Sequence, residues 1–390
     1  MKILSIETSC DETAISILEA KGTIQSPVFE VCGNMTLSQI EAHKQWGGVV
    51  PNIAKREHAK NLLPILEHVL KDTNMLIKNE GKKHLDDNLK KEVSAILERE
   101  IGLADTLIEF VQAHEVPEFD LITVTKGPGL EPALWVGINF AKAISKFWGI
   151  PVLGVNHMEG HTLSVLLDKE NGVYKSRTIT YPALALLISG GHTELVLIEK
   201  PLSYKVIGRT RDDAVGEAFD KVARILGLPY PGGPEISKLS GLISEQDEIE
   251  LPRPMLHSDD YDFSFSGLKT SVLYKVNKIN KITDSTKTNI AFEFEQAVTE
   301  VLLKKTLKAA TEYNVNTIII GGGVSANKTI RESFKEKLIK EESNIELLLP
   351  EKHLSTDNAI MIGIAGYLEY LKNPNSNIEE KLEAKGNLSL

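Results

Sequence analysis

Two cysteines, Cys10 and Cys32, are all that this chain of 390 residues contains. Neither a disulfide framework nor a cysteine zinc site is therefore expected. No apolar run approaches the roughly 18 residues that a membrane helix needs, so no membrane partner is expected. The opening Met1-Lys2-Ile3-Leu4-Ser5-Ile6-Glu7 turns polar too soon for a signal peptide, which predicts a reducing, cytoplasmic setting. Positive charge is also in deficit. A net charge of −10 excludes indiscriminate nucleic-acid binding over the whole surface. It leaves room for a local basic face or a basic partner subunit. Lys55, Arg56 and Lys60, on an expected helix, form one such patch, with a solvated helix face as its plainer reading.

What is present is an ordinary globular balance, 42% hydrophobic and 25% charged, in a chain long enough for two lobes. The first β-like run ends at Ser9 and is followed by the polar turn Ser9-Cys10-Asp11-Glu12-Thr13 and a returning run, Ala14-Ile15-Ser16-Ile17-Leu18-Glu19. Such a hairpin can present hydroxyls and amides to a phosphate. The pattern returns in the second half, where Ala183-Leu184-Ala185-Leu186-Leu187-Ile188 runs into Ser189-Gly190-Gly191-His192-Thr193 and back through Glu194-Leu195-Val196-Leu197-Ile198. The recurrence predicts two lobes, each opening on a strand–polar tip–strand unit. Between residues 74 and 115 the chain turns lysine-rich while Val93, Ile96, Leu97, Ile101, Ala104, Leu107, Ile108 and Val111 keep a helical period, which predicts an inserted helix or helical hairpin. Lys126-Gly127-Pro128-Gly129-Leu130, between a strand and a helix, has the form of an anion site, as does Gly321-Gly322-Gly323 after the strand near Ile318.

His157 and His161, in Asn156-His157-Met158-Glu159-Gly160-His161, are four residues apart, so on a helix both imidazoles can reach one metal ion. A metal-dependent peptidase would carry Glu directly after the first His. Met158 takes that place, and Glu159 falls about 200° round the helix from His157. A non-enzymatic ATP-binding chaperone or scaffold would use the glycine turns equally well but has no need of the histidine pair.

Taken in order, Ile6-Glu7-Thr8-Ser9-Cys10-Asp11-Glu12-Thr13, the histidine stretch, Ser189-Gly190-Gly191-His192-Thr193, residues 212–221, Asp262-Phe263-Ser264-Phe265-Ser266-Gly267-Leu268-Lys269-Thr270, Gly322-Gly323-Val324-Ser325-Ala326-Asn327 and Ser355-Thr356-Asp357-Asn358 resemble the tRNA threonylcarbamoyladenosine enzymes, in their bacterial TsaD branch. The resemblance spans nearly the whole chain except the lysine-rich segment. It implies an α/β fold of the actin-like, sugar-kinase-like (ASKHA) kind, two lobes each built on a mixed sheet flanked by helices. Their bounds would be 1–178, with the insertion at 74–115 and a completing C-terminal helix at about 355–390, and 179–354. It implies one divalent metal, iron (Fe2+), on His157, His161 and Asp357. Threonylcarbamoyl-AMP would be held by Leu187, Ile188, Ser189, Gly190, Gly191, Asp220, Gly233 and Asn327. Archaeal relatives carry an acidic residue where this chain has Ser237, and a Tyr where Leu187 stands.

The reaction implied moves a threonylcarbamoyl group from its adenylate to the exocyclic amine of the adenosine next to the anticodon, in tRNAs that read codons beginning with adenine. That amine is a poor nucleophile, because its lone pair is delocalised into the purine. A base must also remove its proton, and Asp11 and Glu12 are the candidates, with solvated turn carboxylates as the alternative. The family works with an inactive paralogue (TsaB-like), a small ATPase (TsaE-like) and a separate enzyme that makes the adenylate.

Overall fold

The first sheet grows outward from β1 (Lys2–Glu7), whose residues beyond the first are buried on both faces. It pairs antiparallel with β2 (Glu12–Gly22) and parallel with β4 (Leu121–Gly127); β3 (Pro27–Ser38) and β5 (Val152–Asn156) complete the order β3-β2-β1-β4-β5. Period-two geometry sends Leu4 and Ile6 toward a core shared with the helices Pro51–Asp72 and Glu131–Trp148. Ser5 faces the other way, onto helix Ala359–Lys372, where a Cβ on Gly363 would lie 2.5 Å from Ser5 Oγ. One turn on, a Cβ on Gly366 would lie 2.3 Å from Thr123 Cγ2, so the helix lies flat on the sheet only because both positions are glycine. A sheet covered on both faces explains why β1 and β4 read as nearly continuous apolar runs.

The structure, a computed structural model, describes residues 1–81, 83–170, 173–243, 249–279, 282–374 and 382–390. Two units emerge from its packing: Met1–His43 with Val49–Thr178 and Asp357–Leu390, and Lys44–Gly48 with Ile179–Thr356. In the first unit a separate hairpin joins β6 (Leu167–Glu170) to β7 (Val173–Ser176). The second unit holds β8 (Ala183–Ile188), β9 (Thr193–Lys200), β10 (Ser203–Arg209), β11 (Thr317–Gly321) and β12 (Glu346–Leu348) in the order β10-β9-β8-β11-β12. Its pairings repeat the first sheet, two antiparallel followed by two parallel. Around it Phe219 and Phe294 meet edge to face, 5.0 Å between centroids, inside a core formed with the helices Val215–Ile225 and Asp284–Glu312. This duplicated α/β topology is the actin-like, sugar-kinase-like arrangement.

Several expectations need correction. The lysine-rich insertion contains two helices, Asp87–Ile96 and Leu103–Ala113, joined through Ile101, which is 96% exposed rather than part of the apolar stripe. Its place is on a turn ahead of Gly102 at φ +81°, where the helical period is broken. The C-terminal helix ends at Lys372, residues 375–381 lie outside the described residues, and 382–390 form an irregular tail with a turn at Gly386-Asn387. That tail docks by backbone bonds: Lys385 N donates to Lys126 O, and Gly386 O accepts from Gly129 N. The turn at residues 127–130 is consequently not an open anion site. Gly129 N is taken by the tail and Leu130 N by Ser9 O, at 2.8 Å.

Candidate metal centre and the two hairpin tips

Asn156 ends β5 and caps the helix His157–Leu163, its Oδ1 accepting from the amides of Met158 (2.9 Å) and Glu159 (3.3 Å). Its Nδ2 donates to Ser389 O of the tail at 3.1 Å. The cap plants the histidine helix directly on the end of a parallel strand. One turn apart, the buried rings of His157 and His161 meet edge to face with centroids 4.6 Å apart. Asp357, just ahead of helix Ala359–Lys372, places Oδ1 3.4 Å from His157 Nε2 and 3.1 Å from His161 Nε2. One ligand atom from each of the three lies within 4.8 Å of the others. Glu159 is buried as well, but it is not one of the three converging residues.

The electrostatics of this corner fit a cation. Burial works against charge on His157, but Asp357 and Glu7 outweigh it and hold its pKa well above the ordinary value. His161 goes the other way: burial lowers it, and the neighbouring His157 adds to that. Asp357 is held far below the usual carboxylate range, the two imidazoles overcoming its own burial. Glu12 is pushed well up by burial, then by Asp357, Asp11 and Glu7; Asp11 is raised by burial, with the Cys10 thiol opposing. Two carboxylates, Asp357 and Glu7, thus face two imidazoles, with Asp11 and Glu12 close to Asp357, and a dication would relieve the excess. His161 Nδ1 is buried with no hydrogen-bond partner among the described residues. Two imidazoles and one carboxylate suit iron, zinc or a similar divalent ion, which could be held here.

The first tip, residues 8–11, is packed from all sides. Ser9 N donates to Glu7 Oε1 at 2.5 Å, Gln39 N to Asp11 O at 2.8 Å, and His58 Nε2 lies 3.0 Å from Cys10 O. Asp11 is 7% exposed and Glu12 half-buried, so the solvated-turn alternative does not describe them. Both are close enough to Asp357 to shift with it.

In the second unit, Ser189 O accepts from Gly216 N and Ser189 Oγ from His192 N, while Gly190 and Gly191 stand exposed with nothing within 4 Å of a Cβ at either. Leu187 and Ile188 are wholly buried, so they can offer a ligand backbone but not side chain. Asp220 accepts from Gly232 N at 2.7 Å, and Gly233 beside it is open. Asn327 caps helix Lys328–Lys340 through Oδ1 and donates through Nδ2 to Ser237 Oγ and Glu295 Oε1, both at 2.8 Å. Both ends of its amide are already engaged. Sequence reasoning missed Glu295, a buried carboxylate 2.6 Å from Ser237 Oγ. It brings an acidic group to the side of Ser237. An acidic residue on the apolar face of the helical run around Phe294 was the available signal. Glu7 was missed in the same way, quoted within a motif but given no role.

Duplicated sheets and a converging two-histidine, one-carboxylate triad define the class: an actin-like α/β protein with a candidate mononuclear metal centre. The family model for TsaD, tRNA N6-adenosine threonylcarbamoyltransferase, matches residues 30–79 and 102–364. A relative of that name from Thermosipho africanus (strain TCF52B) is 44% identical over 395 residues, spanning 100% of both chains. Another, from Bacillus cereus (strain ATCC 14579), is 41% identical over 369 residues, 94% of this chain and 91% of the relative. The chain belongs to the tRNA N6-adenosine threonylcarbamoyltransferase family, and it is a transferase of tRNA modification. Neither the peptidase nor the scaffold reading is favoured. The crystal structure of full-length HypF in its phosphate- and nucleotide-bound form superposes with a TM-score of 0.47 at 15% identity, over 72% of this chain and 42% of that one. That likeness is too loose to decide function. The family model passes over residues 80–101, which include the first helix of the insertion.

Proposed function

We propose that this chain transfers the threonylcarbamoyl group of threonylcarbamoyl-AMP to the exocyclic amine of the adenosine adjacent to the anticodon, in tRNAs reading codons that begin with adenine. The observation that carries the reading is the convergence of His157, His161 and Asp357 within 4.8 Å in a member of this family. Those three would hold one divalent metal, iron (Fe2+), which when bound supplies Lewis-acid polarisation of the carbamoyl carbonyl. Amides of the exposed tip at Gly190 and Gly191 hold phosphate or a developing oxyanion, while Ser189, whose own N–H donates to His192 O, closes the turn that presents them. Leu187 and Ile188 contribute backbone, while Asp220, Gly233 and Asn327 shape the adenylate site. Asn327 acts there through its fixed position, its amide being engaged with Ser237 and Glu295.

Glu12, with Asp11, accepts the proton lost by the amine. Burial first, and then the charges of Asp357, Asp11 and Glu7, make Glu12 a stronger base than a solvated carboxylate, because protonation removes a desolvated and repelled charge. A TsaB-like paralogue and a TsaE-like ATPase complete the reaction, and their surfaces compensate for a chain of net charge −10 facing tRNA. A tRNA substrate places the work in the cytoplasm. Among the described residues no helix is long and apolar enough to cross a membrane.

Reconstitution tests this directly. Purified protein, threonylcarbamoyl-AMP and unmodified tRNA, with and without the two partners, should yield N6-threonylcarbamoyladenosine by mass spectrometry of the digested tRNA. His157→Ala should abolish it. A wild-type rate from that variant, or no product in any combination, rejects the assignment.

A further inference from the structure

Glu7 closes β1 with its side chain wholly buried, and among the described residues its ion-pair partner is His157. Each of its oxygens is engaged. Oε1 accepts from Ser9 N at 2.5 Å, and Oε2 accepts from Thr125 Oγ1 at 2.5 Å. The same Oε2 lies 3.2 Å from His157 Nδ1, and Ser9 Oγ lies 3.2 Å from that nitrogen too. Two adjacent parallel strands, β1 and β4, therefore aim one carboxylate at the Nδ1 edge of the histidine ring.

The geometry points to Glu7 as the positioning residue of the centre, fixing His157 so that Nε2 faces the metal. A carboxylate already accepting from Ser9 and Thr125 has nothing to donate, so the hydrogen in the Glu7–His157 contact belongs to Nδ1. That leaves Nε2, the atom nearest Asp357, as the nitrogen available to coordinate. A ring hydrogen-bonded through its far nitrogen to a carboxylate is held in one tautomer and one orientation, and it is the more basic ligand. Among the described residues His161 has no such support: its Nδ1 has no hydrogen-bond partner, and its Nε2 lies 3.1 Å from Asp357 Oδ1. Of the two imidazoles, one is held in place by the first sheet and the other by the loop carrying Asp357. The burial of an anionic side chain at a strand end, without lysine or arginine opposite it, is expensive in isolation. An orienting role toward His157 accounts for its presence.

The inference rests on reading the triad as a metal site, so its test separates the two. Wild type, His157→Ala, Glu7→Gln and Thr125→Val are prepared metal-free and titrated anaerobically with Co2+, following its visible absorption against a competing chelator. Thermal melting of each metal-free protein is recorded alongside. Glu7→Gln keeps the shape but sets an amide N–H₂ against one of three donors. It should weaken Co2+ binding about 10- to 100-fold and alter the Co2+ spectrum, with melting little changed. Thr125→Val frees Oε2 to rotate and should weaken binding in the same direction by less. Glu7→Asp, which restores the charge on a shorter arm, should recover part of the loss. A folded Glu7→Gln protein with wild-type affinity and spectrum overturns the inference. Should that variant fail to fold, wild-type affinity in Thr125→Val overturns it instead. If wild type binds no Co2+, or His157→Ala binds as well as wild type, the metal reading itself is what fails.

Discussion

The two hairpin tips have the same strand order around them and opposite characters. At residues 8–11 the carbonyls are tied to Gln39 just after β3, to helix Pro51–Asp72 and to the turn after β4, and Ser9 Oγ lies 3.2 Å from His157 Nδ1. At residues 189–192 the backbone is held by Gly216, and among the described residues nothing lies within 4 Å of a Cβ at Gly190 or Gly191. One copy of the topology is packed beside the candidate metal ligands, and the other presents open backbone. The duplication thus fixes where a functional tip can occur, and packing decides what it does.

The contrast can be broken by mutation, most severely at the triad. Asp357→Ala should lower metal affinity by well over the ~100-fold limit seen for outer residues, with adenylate binding to the second tip intact; equal loss of both by equilibrium dialysis would merge the two tips into one. Next come the glycines. Gly129 has φ +157° and a Cβ there would lie 2.6 Å from Ser9 O, so Gly129→Ala should cost about 2 kcal/mol in chemical denaturation. Gly190→Ala meets nothing and should stay within about 0.5 kcal/mol of wild type while weakening adenylate binding. Similar stability in both variants would erase the distinction between a packed and an open tip.

A pH test sharpens the same point. His58 bridges Thr13 and Cys10 O under the first tip, and burial pushes its pKa down to about 4. The Cys10 carbonyl and Glu7 pull it back up, and His43 presses it lower. An unfolded histidine takes its proton near 6.5, so the unfolded chain binds more protons between those values. Stability from this group is complete above about pH 6.5 and is lost as pH falls toward 4, by about 2 kcal/mol at pH 5. His58→Gln should be less stable at pH 7 but lack this component. Parallel denaturation midpoints for the two proteins at pH 7 and pH 5 would show that His58 is not held neutral. The smallest effect is chemical: at pH 8 iodoacetamide should label exposed Cys32 ahead of Cys10, whose thiol is pushed well up by burial and by Asp11, Asp357 and Glu12. Labelling of Cys10 first would mean an open first tip.

Local pattern made much of this legible. The strand–tip–strand recurrence announced both sheets, because fully covered central strands read as apolar runs. The pair His157 and His161 was visible from spacing, and the family resemblance supplied Asp357. What stayed hidden depends on residues far apart in the chain. β3 is interrupted by Gly33-Asn34 and shifts register against Ile17, so it carries no clean alternation. The turn at Gly127 and Gly129 has the form of an anion site, yet a tail more than 250 residues later takes the Gly129 amide and Ser9 takes that of Leu130. Glu7 was in plain view, but its meaning lies in Thr125 and His157, which only the sheet brings beside it.

The chain distance between His161 and Asp357 is 196 residues. A ribosome adding about 5–20 residues per second needs about 10–40 s to cover it. For that interval the nascent protein carries its histidines and Glu7 without the carboxylate that closes the triad. Asn156, which caps the histidine helix, waits longer still for Ser389. The centre is therefore assembled last, and a truncated product would lack it however well its first sheet had folded.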